Sequence, residues 1–365
     1  MCHLPPEVES HIVCENTENL EQFDVPHIHS LAQAPRWRYL WDKGLRRLKI
    51  RRHLGFLVEV AKQYQAQVLH SHFGNSGWAN LAAARKANLK HVVTFYGLDV
   101  TYLPRSQSYW LERYQTLFAQ VDCVLCEGPF MAQSIVALGC PEHKVRVHHL
   151  GVNVDEIPFK PRVWRATEPL RVLIAASFRE KKGIPYALEA LGRFQREVPL
   201  EITLIGDAGQ ETRSQAEKQK IMATFTKHHL LSKTRLLGYQ PYTVLLEEAY
   251  KHHVFLSPSV TASDGDTEGG APVSLIDMMA SGIPIVSTTH CDIPEVVQDG
   301  ITGLLAEERD VDGLVDHLKW LVDHPDRWQS MLEAGRTYVE REYNARVQGE
   351  RLGVIYSQLC RNRYE

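Results

Sequence analysis

No apolar run in this chain approaches the roughly 18 residues that a membrane-spanning helix needs. The opening MCHLPPEVES has no basic segment leading into an apolar core, so no secretory leader is expected. Charge of one sign is also scarce. A net charge of -3 gives no reason to expect a nucleic-acid partner. Cysteine is sparse and odd in number: 7 scattered residues fit a reducing cytoplasm better than a disulfide framework. Cys123 and Cys126 make one CxxC in VDCVLCEG, with no second pair. That short apolar segment reads as a buried strand with inert thiols. None of the 18 histidines has HExxH spacing, and the pairs His148-His149, His228-His229 and His252-His253 read as structural or solvated. No metal site is expected.

What is present is an alternation. Short β-branched runs (11–14, 67–73, 91–97, 122–127 and 144–151) are separated by amphipathic segments in the first half. A second series (170–178, 200–207, 234–239, 253–258, 283–288 and 302–306) follows in the second half. This βαβα rhythm predicts an α/β protein of two parallel, doubly wound sheets in two Rossmann-like domains. The proline-bearing stretch 153–169 has no clear period and separates the two series. It reads as a linker between an N-terminal domain (1–152) and a C-terminal domain (170–340). Residues 341–365 read as a terminal helix that packs back on the first domain.

The most unusual segment is DGDTEGGAPVSLIDMMASG, residues 264–282. Three acids precede Gly269 and Gly270, and Asp277 lies inside an apolar helical pattern. Pro272 suits the first helical position and Gly282 the stop. Gly269, Gly270 and Ala271 then form a bare turn into a helix N-terminus, a place suited to phosphate. Asp277 can accept hydrogen bonds from sugar hydroxyls, and Glu268 stands beside the turn. Phosphate flanked by hydroxyls describes a nucleotide sugar. A capped core helix with surface acids fits the same spacing equally well.

Residues 253–305, with SPS, MASGIPIVST and IPEVVQDGITGLL, resemble the donor-site core of family-4 retaining glycosyltransferases of the GT-B fold. VLIAASFREKKGIPYALEAL (172–191) and LIGDAG (204–209) extend the likeness, as do LHSHFGNSGW and VVTFYGLDV in the first half. The resemblance implies two Rossmann-like domains facing across a cleft. The second would hold a nucleotide-diphospho-sugar, with uridine the expected base, and the first a glycan or lipid-linked acceptor. It implies a hexosyltransferase-type transfer with retained configuration and no required metal or cofactor. Lys182 and Arg179 would neutralise the diphosphate, Glu268 would orient the donor sugar, Asp277 would hold the ribose and Gly206 would lie beside the nucleotide. Asp266 is expected at the donor too, sharing the role of Glu268. On the acceptor side the resemblance points to His72, Gly74, Tyr96, Gly97 and Asp99. Asp99 fits a helix N-cap as well, and Arg179 a solvated loop charge.

The sequence departs from the family in four places. Eight residues separate Glu268 from Asp277 where seven usually separate two glutamates. Ser177 stands where an arginine is usual, with Arg179 two residues later. Tyr96 replaces a common histidine. Finally, MCHLPPEVESHIVCE reads as the end of the family's first helix, so the N-terminal domain is expected to lack its first strand and to leave a sheet edge open. Two other readings follow from these departures: a sugar-nucleotide epimerase of the same fold, or a nucleotide-sugar-binding protein without turnover.

RWRYLWDKGLRRLKIRR (36–52) carries eight Lys or Arg and one acid, with Trp37, Tyr39 and Trp41 interleaved. It reads either as a solvated helix or as a segment that meets an anionic membrane surface. The expected location is the cytoplasm, with peripheral attachment to the inner leaflet if the second reading holds.

Overall fold

The computed structural model describes residues 3–18, 20 and 26–361. Twelve strands are named among them: β1 (Ile12–Cys14), β2 (Ile28–Ser30), β3 (Val68–His72), β4 (Lys90–Thr94), β5 (Cys123–Cys126), β6 (Val145–Val147), β7 (Leu170–Ala175), β8 (Leu200–Ile205), β9 (Thr234–Gly238), β10 (Val254–Ser257), β11 (Ile285–Thr288) and β12 (Leu304–Ala306). Every strand pairing is parallel.

The chain divides into two compact units. The first takes in the chain up to Glu127, Ala132–His148 and the residues from Arg346 onward; the second takes in Gly128–Met131 and His149–Ala345. In the first, β3-β4-β5-β6 form one sheet in that order, and β1 pairs only with β2 in a separate sheet. The strand read at 11–14 therefore exists but does not join the main sheet, and β3 is an edge among the described residues. The helix Ala345–Arg361 belongs to this unit, where Leu352, Ile355 and Leu359 pack with Val92, Cys123 and Leu125. Cys123 and Cys126 are buried in β5, and burial pushes the Cys123 thiol up to about 11.

In the second unit the order is β12-β11-β10-β7-β8-β9. The first strand of the series is central and the direction of winding reverses between β7 and β10. Such a reversal opens a crevice at the carboxyl ends of the strands, where doubly wound sheets take their ligands. Both faces of β7 are apolar, as a sheet covered on both sides requires. Leu170, Val172 and Ile174 join one core with Leu188 and Leu191, while Leu173 joins another with Leu275 and Met279.

Residues 153–169 are not a free linker. Val154, Ile157 and Trp164 are buried in the second unit's cores. Arg162 is buried too, and its guanidinium donates to the carbonyls of Ala249 and Ser281. The prolines that suggested a linker instead shape an extended segment lying on this unit.

Candidate functional site

Two glycines bring three strand ends of the second unit together. Gly183 follows the β7 loop with φ +62°, and a Cβ there would meet the carbonyl oxygen of Pro258, just past β10, at 1.8 Å. Gly206 ends β8 with φ +122°, and its Cβ would meet the carbonyl oxygen of Ala176 at 1.9 Å. Any side chain at either position would force the loops apart.

Lys182 sits in the short turn Glu180–Lys182. Its Nζ lies 2.8 Å from Oε1 and 2.9 Å from Oε2 of Glu268. The two places singled out by sequence, 86 residues apart, therefore meet. Ser259 Oγ donates to Glu268 Oε1 at 2.8 Å. Burial alone would raise the Glu268 pKa, but the ammonium groups of Lys182 and Lys181 outweigh it and hold the carboxyl below its ordinary value.

The turn beyond Glu268 leads into a helix. Gly269 adopts φ +77° and donates its N–H to Thr267 Oγ1 at 3.1 Å. Gly270 and Ala271 make no backbone hydrogen bond among the described residues. The helix then runs Val273–Ser281, closed by left-handed Gly282. Pro272 is its N-cap and not its first residue, because ψ 129° keeps it extended. Asp277 lies within the helix, buried, with burial pushing its carboxyl up to about 6 against a hydrogen bond with Tyr242.

Two expected ligand contacts are committed elsewhere. Asp266 is buried and its carboxylate lies 3.1 Å from Lys181 Nζ, which also donates to the Thr267 carbonyl at 2.7 Å. It anchors the acidic loop and does not share the position of Glu268. Arg179 lies 3.7 Å from Glu211, with both side chains partly exposed.

Sequence reasoning missed His290. Its Nε2 accepts the backbone N–H of Glu268 at 3.1 Å, so the hydrogen-bond pattern puts the ring proton on Nδ1. Nδ1 donates to Glu308 Oε1 at 2.5 Å, and Glu308 Oε2 accepts the Thr261 N–H at 2.8 Å. This relay fixes the backbone that carries Glu268. Its only sequence signal is a histidine at the end of the strand in STTHCD, 22 residues from its partner. Tyr242, on the neighbour of the Asp277 helix, was missed as well.

The first unit arranges its polar residues differently. His72 ends β3, and its Nδ1 lies 2.5 Å from the Tyr96 hydroxyl. Asp99 is buried, with Oδ2 accepting the Gly74 N–H at 2.7 Å and Oδ1 the Tyr96 N–H at 2.9 Å. Both oxygens are thus turned to the backbone, against the expectation that Asp99 meets a sugar. Gly74 opens the helix Gly74–Ala87, where a Cβ would strike the Phe95 ring at 2.3 Å. Gly97 adopts φ +87°, which lets the chain turn sharply after Tyr96. Phe73 has φ +70° without being glycine, a conformation costing on the order of 1–3 kcal/mol that tends to occur at functional sites.

Comparison with known proteins gives these two groups of residues a setting. The family model described as glycosyl transferases group 1 matches residues 156–338, and that described as Glycosyltransferase Family 4 matches residues 3–156. The amylovoran biosynthesis glycosyltransferase AmsK of Erwinia amylovora is 31% identical over 306 residues, covering 82% of this chain and 72% of that protein. WcaL of Escherichia coli K12, provisionally named a colanic acid biosynthesis glycosyltransferase, is 31% identical over 312 residues, covering 82% and 73%. Among solved structures, Anabaena HepE in complex with UDP and glucose superposes with a TM-score of 0.72 at 14% identity, covering 93% of this chain and 88% of that one. The chain belongs to the glycosyl transferases group 1 family and is a glycosyltransferase of the GT-B fold.

Proposed function

We propose that this glycosyltransferase moves a sugar from a nucleotide-diphospho-sugar to a polysaccharide or glycolipid acceptor with retained configuration. One observation carries the reading: at the switch point of the second sheet the Lys182 ammonium meets Glu268, the residue that leads into the Gly269–Ala271 turn, where the N–H groups of Gly270 and Ala271 make no backbone hydrogen bond among the described residues. An ammonium beside unpaired backbone N–H groups at a helix start is suited to a diphosphate. Lys182 would trade the Glu268 carboxylate for phosphate oxygens, leaving Glu268 to accept hydrogen bonds from the donor sugar. Asp277 would take the ribose hydroxyls, and the relay through His290 would position Glu268 without touching substrate.

In the transfer, the bond between the anomeric carbon and the phosphate oxygen breaks, and its electron pair leaves with the diphosphate. A bond to the acceptor oxygen forms on the same face, and the acceptor proton passes to the departing phosphate oxygen. Lys182 and the helix start stabilise the charge that develops there. A uridine nucleotide is favoured by the likeness to HepE, whose complex holds UDP. The likeness to proteins named for amylovoran and colanic acid biosynthesis favours a polysaccharide acceptor.

A thermal-shift screen across uridine, guanosine and adenosine diphosphate sugars tests the donor. Ligand at a hundredfold its Kd adds about 2.7 kcal/mol of apparent stability. The uridine series should raise the melting temperature of the wild type and not of Lys182→Ala. No shift with any diphosphate sugar, or equal shifts in both proteins, would overturn the reading. NMR of the product's anomeric proton tests retention.

A further inference from the structure

The helix Arg36–Arg47 is built inside out. Its one buried side chain is Asp42, which accepts from Arg46 Nε at 2.8 Å, from the Gly55 N–H at 2.6 Å and from Arg51. A carboxylate and its cations, not an apolar stripe, therefore hold this helix to the first unit. The apolar residues face water: Trp37 is 71% exposed, Trp41 66% and Leu40 57%. Positions 37, 40 and 41 share one helical face, and Leu48 at 71%, the C-cap residue directly after the helix, continues it. A surface helix of a globular protein normally points such a stripe inward. Two adjacent exposed tryptophans are apolar surface that an aqueous protein gains nothing by displaying.

Charge decides what covers this stripe. Arg36, Lys43, Arg47 and Lys49 are all exposed along it, and the one acid of the helix is turned inward. A second copy of the chain would bring like charges together around the tryptophans. An anionic bilayer supplies both partners: negative headgroups for the cations and an interfacial layer in which indole rings are at home. Among the described residues no helix is long and apolar enough to cross a membrane, so this contact would lie on the surface.

We propose that the 36–50 segment docks the protein on an anionic lipid surface, with Trp37, Leu40 and Trp41 inserted and Arg36, Arg47 and Lys49 on the headgroups. The inference stands apart from the transfer reading, since vesicle binding and nucleotide binding are separate measurements. The full chain is sedimented with phosphatidylcholine vesicles, with and without phosphatidylglycerol. Binding should require phosphatidylglycerol and weaken with salt as the Debye length falls from about 10 Å at 0.1 M to about 3 Å at 1 M. The double variant Trp37→Ser/Trp41→Ser should lose on the order of tenfold or more in vesicle affinity. Arg47→Glu and Lys49→Glu should each lose at least about fivefold. All four side chains are exposed, and unchanged melting temperatures would show that the variants fold. Equal sedimentation with neutral and anionic vesicles would overturn the proposal, as would wild-type vesicle affinity in the tryptophan variant. A concentration-dependent dimer dispersed by the tryptophan changes, without vesicle binding, would assign the face to a second copy instead.

Discussion

The strand ends of the two units use their polar residues in opposite ways. In the second unit, cations and carboxylates meet as pairs: Lys182 with Glu268 and Lys181 with Asp266. In the first, the buried carboxylate at the strand ends, Asp99, is spent on backbone N–H groups, and a histidine and a phenol in contact with each other are left outward, with the Glu127 carboxylate near the phenol. A site of ion pairs can exchange a carboxylate for a phosphate. A site of an imidazole, a phenol and a carboxylate, with no lysine or arginine paired to Asp99 among the described residues, suits hydroxyl groups. Donor and acceptor chemistry would thus be divided between the units by charge.

Lys182→Ala is the sharpest way to break that comparison. Removing a donor aimed at a developing oxyanion costs about 10²–10³ in kcat. Lys182→Arg should keep part of the activity, since it keeps the charge and loses the fit. The neighbouring cation should behave otherwise. Lys181→Ala leaves the buried Asp266 carboxylate with only the longer 3.7 Å contact to Arg213, which costs on the order of 2–3 kcal/mol in stability. Denaturant unfolding should register both changes, since Glu268 is buried as well, while the transfer rate should fall far more for Lys182→Ala than for Lys181→Ala. If both changes slow transfer alike, the two lysines have no separate roles.

That pair also shows how far the sequence could be read. Glycines at strand ends and the βαβ rhythm were legible because each depends on local chemistry, whereas the meeting of Lys182 and Glu268 across 86 residues was legible only through the family resemblance that puts both at the donor. The division of labour between Lys181 and Lys182 was not, because neighbouring lysines look alike until their directions are known. Asp266 and Asp99 misled for the same reason: an acid near a glycine-rich turn signals a ligand or a backbone staple equally well. His290 was invisible because its meaning lies in a contact across 22 residues. The separate β1-β2 sheet was hidden because a run of β-branched residues specifies a strand but not its neighbour.

Acid should weaken the first unit through a buried histidine. His91 is buried in the first unit, beside Ser71 Oγ at 2.9 Å, and burial lowers its pKa to about 4 despite the Asp122 carboxylate. An unfolded histidine takes its proton near 6.5. Between those values the unfolded chain binds more protons, so the His91 contribution falls as pH drops below 6.5, by at most about 1.4 kcal/mol per pH unit. His91→Gln should flatten the acid limb of stability measured between pH 7 and 4. An unchanged slope would mean that His91 does not drive it.

The smallest effect is expected at Tyr96, and it tests the contrast between the units most directly. Burial, with the nearby Glu127 and Asp99 charges, pushes its phenol up to about 12 despite a hydrogen bond with Thr94. Position 96 therefore holds its proton throughout the working range and adds no limb to the pH–rate profile near neutrality. Tyr96→His places an imidazole, ordinarily titrating near 6.5, beside His72. Two imidazoles in contact resist double protonation, so the new group should titrate below 6.5 and add an acid-side change in rate there. Melting temperature should follow the same curve only weakly, since the site is partly exposed. A wild-type profile that already steps between pH 6 and 7, with the step abolished in Tyr96→Phe, would mean that the phenol takes part in proton transfer, and the contrast between the two units would fail.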